Sequence, residues 1–319
     1  MCGLVGIIRL DGHDARKTAL KRYDAQSHRG SDGFGFVAIK DDVMIKHERS
    51  ETEDEIKALL ALAPCDTLIF HHRIPTSTPN LKECNHPIKV SHSSLSHDYY
   101  VIHNGIIWDA ESKRLKDKHE KQGFTYTTEV KFTAHVGDRS IPIQTKWNDS
   151  EALAIELAQD VDKDGDGIVA EGSIAFIAIK VNKETGKIAN IFWGTNGGSP
   201  LKFFEVRDTM ITICSEGAGE EVKEHTLYSL DFTSGEISDK PYKVGRESAT
   251  ISEATTFYLD EDYYELIEEQ EDLRRQRLIL ENAGRDTDAL DEAIEALEFD
   301  LQAFETGYDR AEATRLLNS

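Results

Sequence analysis

Basic residues are scarce in this chain. Its 37 lysines and arginines stand against 59 aspartates and glutamates, a formal charge of −22 over 319 residues. A field of that sign repels phosphates, which argues against a general nucleic-acid binder or a protein held on an anionic membrane. A well-solvated acidic protein is the plainer use of the charge. Long apolar runs are also missing: none approaches the ~20 residues that a membrane-spanning helix needs. The apolar stretch at 3–8 is too short, and lacks the basic lead, for a signal peptide. Cysteine is sparse, and Cys2, Cys65, Cys84 and Cys214 lie far apart with no CxxC spacing. That spacing suggests neither a zinc site nor a disulfide framework, no cofactor is called for, and a reducing cytoplasm fits best. No internal repeat, low-complexity tract or Gly-rich phosphate loop is present.

What is there is a chain long enough for one large domain and an appendage. Up to about residue 252, short runs rich in Val, Ile, Phe and Tyr alternate with a few amphipathic stretches. GLVGIIRL, FGFVAIK, DTLIFHHRI, YYVIHNGII, SIAFIAIKV, IANIFWGT and DTMITICSE read as strands. Several are apolar throughout, the mark of strands buried on both faces. DARKTALKRYDAQ, EDEIKALLALA, SKRLKDKHEKQ and DSEALAIELAQ have helical spacing. SIAFIAIKV and IANIFWGT, joined through NKETGK, predict an antiparallel hairpin, and the class is α+β. From 253 to 319 the texture changes. Leu290, Ile294, Leu297, Leu301, Phe304, Tyr308 and Ala311 keep four-three spacing, and a similar series runs from Leu259 to Leu280. NAGRDTD separates the two, so a C-terminal α-helical coiled-coil hairpin is expected. Such a hairpin either packs simply or serves docking or homo-oligomer formation.

The Cys2 thiol needs a base, because a free thiol titrates near ~8.5. An N-terminal α-amine, titrating near ~7.7–8.0, is such a base. Cys2 carries one only if Met1 is removed. On its own, a cysteine at position 2 is more often a small packing residue than a nucleophile. Four clusters follow it in order: HRGSDGFGF, FHHRIPTSTPN, NHPI and VIHNGII. In the last, Asn104 and Gly105 interrupt an apolar strand. A buried amide demands partners and a glycine weakens a strand, so the break needs a reason.

Taken together these motifs resemble the class II, N-terminal-nucleophile (Ntn) glutamine amidotransferases, the glutaminase domains of glucosamine-6-phosphate synthase, amidophosphoribosyltransferase, asparagine synthetase and glutamate synthase. MCGLVGI is similar to the family's opening, HRGSDGFG to its HRGxDxxG, HHRIPTST to its HxRxxT loop, VIHNGII to its HNG strand and NDSEALA to its acidic helix start. The resemblance covers roughly residues 2–217. It implies a four-layer αββα sandwich of two antiparallel sheets between helix layers, over residues 2–252. It also implies that Cys2 attacks the side-chain amide of L-glutamine, releasing ammonia and leaving a γ-glutamyl thioester for water to hydrolyse. Asn104 and Gly105 would form the oxyanion hole. Arg73 would clamp the substrate carboxylate, Asp149 would hold its ammonium, Thr76 would line the pocket, and Arg29 would support the surroundings of the nucleophile. Without the other motifs, Arg73 reads as a surface ion pair and Asp149 as a plain helix cap.

Three departures qualify the match. Pro75 and Ser77 stand where many relatives have a small residue and a histidine. The spacer between HNG and NDSE is long, so that TTEV at 127–130 competes with NDSE for the acidic role; Asp149 is preferred because it opens a helix. DKDGDGIVAEGS at 162–173 imitates a calcium loop, but Ser173 stands where a bidentate glutamate belongs, so a polar helix-to-strand loop is expected. No synthetase follows the glutaminase-like region, which implies ammonia delivery to a separate synthetase or transferase partner. The competing readings are another N-terminal-cysteine amide hydrolase and a catalytically silent scaffold.

Overall fold

The computed structural model describes residues 2–245 apart from 76, 77, 79, 137, 138, 207, 208 and 218, with the backbone alone over 131–145. The C-terminal hairpin expected at 253–319 lies outside the described residues. Along the chain come β1 (Gly3–Arg9), α1 (Arg16–Ala25), β2 (Gly33–Lys40), β3 (Val43–Ser50), α2 (Glu53–Ala61), β4 (Thr67–Arg73), β5 (Ile88–Val90), β6 (His97–Ile107) and α3 (Asp109–Lys121). After these come β7 (Val130–Val136), β8 (Arg139–Lys146), α4 (Asp149–Val161), β9 (Gly167–Ile168), β10 (Gly172–Asn182), β11 (Ile188–Thr195) and β12 (Lys202–Val206). The described chain closes with β13 (Met210–Cys214), β14 (Glu220–Glu221), β15 (Thr226–Asp231), β16 (Ile237–Pro241) and β17 (Lys243–Val244).

Strand alternation sorts these elements into layers. One antiparallel sheet has seven strands in the order β14-β12-β13-β1-β4-β2-β3, and the other has six, β16-β15-β11-β10-β6-β5. In β1, Leu4 and Ile8 point to the second sheet while Val5 and Ile7 point to α1 and α2, the period of two that a doubly buried strand requires. The same holds in β6: Tyr100 and Ile102 face the first sheet, and Tyr99 and Val101 face α4. Three apolar layers result. One lies between α1–α2 and the seven-stranded sheet, one between the sheets, and one between the six-stranded sheet and α3–α4. This is the expected αββα sandwich. The predicted β10–β11 hairpin forms in register, Ile177 opposite Trp193.

The spacer between the HNG and NDSE motifs carries a separate hairpin, β7–β8. Ahead of α4 the cap is Asn148, whose side chain accepts the Ser150 N–H at 3.0 Å, so Asp149 is the first helical residue and not the cap. The calcium-like loop runs from the end of α4 to β9. There Asp162 turns to the Ser96 and Tyr99 hydroxyls at 2.5 and 2.7 Å, and Asp164 pairs with Lys240. Among the described residues, no helix is long and apolar enough to cross a membrane.

Candidate active site

The pairing of β1 with β4 sets Gly3 against His72, so Cys2, one residue earlier, comes to lie beside Arg73. Gly3 is required by contact: a Cβ there would lie 1.9 Å from the His72 ring. That ring is fixed. His72 Nδ1 faces the Gly30 carbonyl at 3.1 Å and must donate, which leaves Nε2 to accept from the Gln26 amide at 3.0 Å. Gln26 also donates to the Leu4 carbonyl at 3.0 Å, tying α1 to the chain just behind Cys2.

Cys2 is partly buried, and its thiol points to the Ile74 carbonyl at 3.6 Å. Burial pushes this thiol up, while the Ile74 backbone and the Arg73 guanidinium pull it back down. Arg29 donates from Nε to the Cys2 carbonyl at 3.2 Å, so it holds the backbone of the cysteine. Arg73, 2% exposed, is braced by the Asn85 side chain at 3.2 Å and by the Thr78 carbonyl and hydroxyl at 3.2 and 2.6 Å. Asn85 is anchored in turn by donating to the Ser50 carbonyl at 2.9 Å. Burial lowers the Arg73 guanidinium, and both Cys2 and Asp149 act on it in the opposite sense, so these three groups share one electrostatic neighbourhood.

In β6, alternation carries Asn104 onto the same inter-sheet face as Tyr100 and Ile102. Its amide donates to the Ser215 hydroxyl at 3.4 Å, and that hydroxyl also accepts the Leu4 N–H at 2.9 Å. Asn104 is thereby tethered across the sheets to the strand that carries Cys2. Gly105 has φ +136°, and a Cβ there would meet the Ser173 carbonyl at 1.8 Å, so only glycine fits. The next link is Asp149, whose carboxylate accepts the Ile107 N–H at 2.7 Å and so pins the strand after the break to the start of α4. TTEV and NDSE, the two candidates for the acidic role, meet in the structure: Glu151 takes the N–H and hydroxyl of both Thr127 and Thr128 at 2.6–2.8 Å.

The structure thus brings together Cys2, Arg29, Arg73, Asn104, Gly105 and Asp149; Thr76 lies outside the described residues. Sequence reasoning missed the support. Gln26, His72, Thr78, Asn85 and Ser215 are buried and hold these groups, although NHPI had stood out as a cluster. It also missed a buried imidazole pair. His71 and His86 have ring centroids 4.1 Å apart, and His71 Nε2 donates to the His103 carbonyl at 3.1 Å. His71 Nδ1 and both His86 nitrogens find no partner among the described residues. Burial holds both rings well below the usual histidine range. Cys65, Cys84 and Cys214 are buried, with burial pushing Cys65 up to about 12, whereas Cys2 is only partly buried.

No family model matches this chain, and no curated protein does. Solved structures do. Glutamine phosphoribosylpyrophosphate amidotransferase from B. subtilis aligns with a TM-score of 0.50 at 19% identity over 75% of this chain. A structure described as the allosteric regulatory enzyme of purine biosynthesis aligns with a TM-score of 0.54 at 18% identity over 75%. The fold is shared with both. This chain spans about half of each of those chains, 49%.

Proposed function

We propose that this chain is a class II glutamine amidotransferase glutaminase that hydrolyses the side-chain amide of L-glutamine, with Cys2 as nucleophile once Met1 is removed. The Cys2 sulfur attacks the amide carbon while the freed α-amine takes the thiol proton. Asn104 Nδ2 and the Gly105 N–H receive the oxyanion. The tetrahedral intermediate collapses by breaking the C–N bond, the ammonium proton passes to the leaving nitrogen, and ammonia departs. Water then cleaves the γ-glutamyl thioester to give glutamate and restore the thiol. Arg73 binds the substrate α-carboxylate, Asp149 its α-ammonium, and the Thr76 region lines the pocket. Arg29 holds the backbone of the nucleophile. The observation that supports this most is the convergence of Cys2, Arg73 and Asn104 on one end of the space between the sheets. Each comes from a different strand, and Asp149 is close enough to act on Arg73.

The ammonia passes to a separate synthetase or transferase in this reading, and the segment 253–319, whose four-three spacing of apolar residues suits a helical hairpin, is the docking element. The decisive experiment measures ammonia and glutamate release from glutamine, with intact mass to follow Met1. A glutamine-analogue electrophile should add to Cys2 and to none of the other three cysteines. A processed but unlabelled Cys2 with no turnover would refute the enzyme reading and leave a silent scaffold. Turnover of other amides with none of glutamine would leave a different N-terminal-cysteine hydrolase. Native protein isolated alone, with full glutaminase turnover, would refute obligate partnership.

A further inference from the structure

A cavity of about 370 Å³ opens between β3, β5, α4 and the turn at 124–127, lined by His47, Arg49, Lys89, Phe124, Thr125 and Glu151 among others. None of Cys2, Arg73 and Asn104 borders it. Its volume falls in the range of small-molecule sites. The sign of its lining is unusual for a chain of charge −22. Two cations, Arg49 and Lys89, face a single carboxylate. That carboxylate, Glu151, already accepts four hydrogen bonds from Thr127 and Thr128. Arg49 donates from Nη1 to the Glu83 and Asn85 carbonyls at 2.9 and 3.3 Å. Its Nε and Nη2 have no acceptor among the described residues. Burial lowers this guanidinium despite the nearby Glu151, so its charge is under-solvated and gains from an incoming anion. Lys89, which lines the cavity, is paired with Asp98 at 2.9 Å and remains 45% exposed. Apolar surface from Phe124 and Ile155 completes the wall.

This cavity has a short route to the candidate active site. Asn85, whose carbonyl Arg49 holds, is the residue whose side chain accepts from Arg73. On the other wall, Glu151 accepts the Thr128 hydroxyl at 2.6 Å; that hydroxyl oxygen in turn accepts the Asn148 N–H at 2.9 Å, and the Asn148 side chain donates to the Cys84 carbonyl at 2.7 Å. Asn148 caps the helix that begins with Asp149. Both walls therefore touch the 83–85 segment or its direct neighbours. An anion that engages the open Nε and Nη2 edge of Arg49 leaves Nη1 on its two carbonyls and orders that segment beneath Arg73.

We propose that this cavity is a second binding site, for a small molecule bearing an oxyanion, and that its occupancy tightens the Arg73 side of the glutamine site. The coupling rests on the glutaminase reading; the binding does not. The test is calorimetric titration of the full-length protein with inorganic phosphate and with citrate at constant ionic strength, which separates a phosphate from a carboxylate ligand. One of them should bind with one-to-one saturation, and the KM for glutamine should then fall by about fivefold or more with kcat unchanged. Lys89→Gln, which removes a charged contact, and Thr125→Trp, which fills the cavity, should each weaken binding about tenfold or more and leave the KM without anion unmoved. Failure of both anions to saturate, or binding that survives Thr125→Trp, overturns the site. Saturable binding with an unmoved KM overturns the coupling. A protein that binds anion but never releases ammonia refutes the glutaminase reading and leaves the site standing.

Discussion

The two ends of the space between the sheets are built by the same strands in the same alternation, yet they hold opposite chemistry. At one end Ile8 of β1, Ile69 of β4 and Tyr100 of β6 join Ile39, Ile179, Ile191 and Ile211 in an apolar layer. At the other, the same faces of β1, β4 and β6 continue as Cys2, then His71 and Arg73, then Asn104. All of the last three are at most 2% exposed. Desolvating a guanidinium, an amide and two imidazoles is expensive, and every such group must be matched by a partner. Here the match is incomplete, since three ring nitrogens of His71 and His86 have no partner among the described residues. A sandwich selected only for stability would carry the aliphatic pattern to both ends. The polar end is therefore read as the place where stability is given up for chemistry.

Truncation should separate the two ends by what each loses. At the aliphatic end, Ile179→Ala leaves a cavity and should lower unfolding free energy by about 2–5 kcal/mol. Turnover per folded molecule should stay at the wild-type value. Denaturant melts and active-site titration measure both, and a collapse of kcat in the folded variant would break the contrast. At the polar end, Asn104→Ala should lower kcat for glutamine by about 10²–10³-fold, the usual consequence of losing one oxyanion donor. The mutation also removes only one long hydrogen bond, to Ser215, so its melting curve should move by no more than ~1 kcal/mol. An Asn104→Ala protein with near-normal kcat would remove Asn104 from the oxyanion hole.

The two ends were also unequally legible in the sequence. The aliphatic end follows from alternation alone, because Val, Ile and Phe in GLVGIIRL or SIAFIAIKV have nowhere to go but into two cores. Asn104 and Gly105 stood out because they break such a run, and Arg73 because it ends one. Their partners could not be read. Ser215 meets Asn104 from 111 residues away, and Asn85 meets Arg73 through a loop with no periodicity. β3 was missed for a different reason. VMIKHERS is the outer strand of its sheet and mostly half-buried, so its polar residues mask the period of two. Asp149 does open α4 as expected, and the alternative of a plain cap at Asp149 gives way to Asn148, since both are good caps in sequence. The Asn148 side chain takes the Ser150 N–H, while the Asp149 carboxylate turns instead to the Ile107 N–H.

Acid should act on the side of the molecule that carries the buried imidazoles. His72 is fully buried, and burial pushes it down to about 4 from an unfolded value near 6.5. Between those values the unfolded chain binds the proton and the folded one does not, so stability falls as pH falls from about 6.5 to about 4. For a shift of that size the loss attributable to His72 is on the order of 3 kcal/mol. Urea midpoints measured across that range should slope downward toward acid. His72→Gln, which still offers an acceptor to Gln26, should flatten the slope, and an unchanged slope would assign the acid lability elsewhere.

The smallest effect asks whether the polar end is tuned for function at all. His86 packs against His71 with both of its own nitrogens unpartnered among the described residues. An unpaired buried polar atom costs about 1–3 kcal/mol, and an apolar replacement of similar shape removes that penalty while keeping the contact. His86→Leu should therefore leave stability unchanged or raise it by up to ~1 kcal/mol. Its kcat for glutamine should fall by a few-fold, because His71 then loses the neighbour beside which it fixes the His103 carbonyl and the strand bearing Asn104. A rise in stability with a loss of kcat makes the polar end a functional compromise. Strong destabilisation would instead mean that His86 is held by an ordered partner and belongs to the structure as firmly as Ile179 does. That outcome would erase the difference between the two ends.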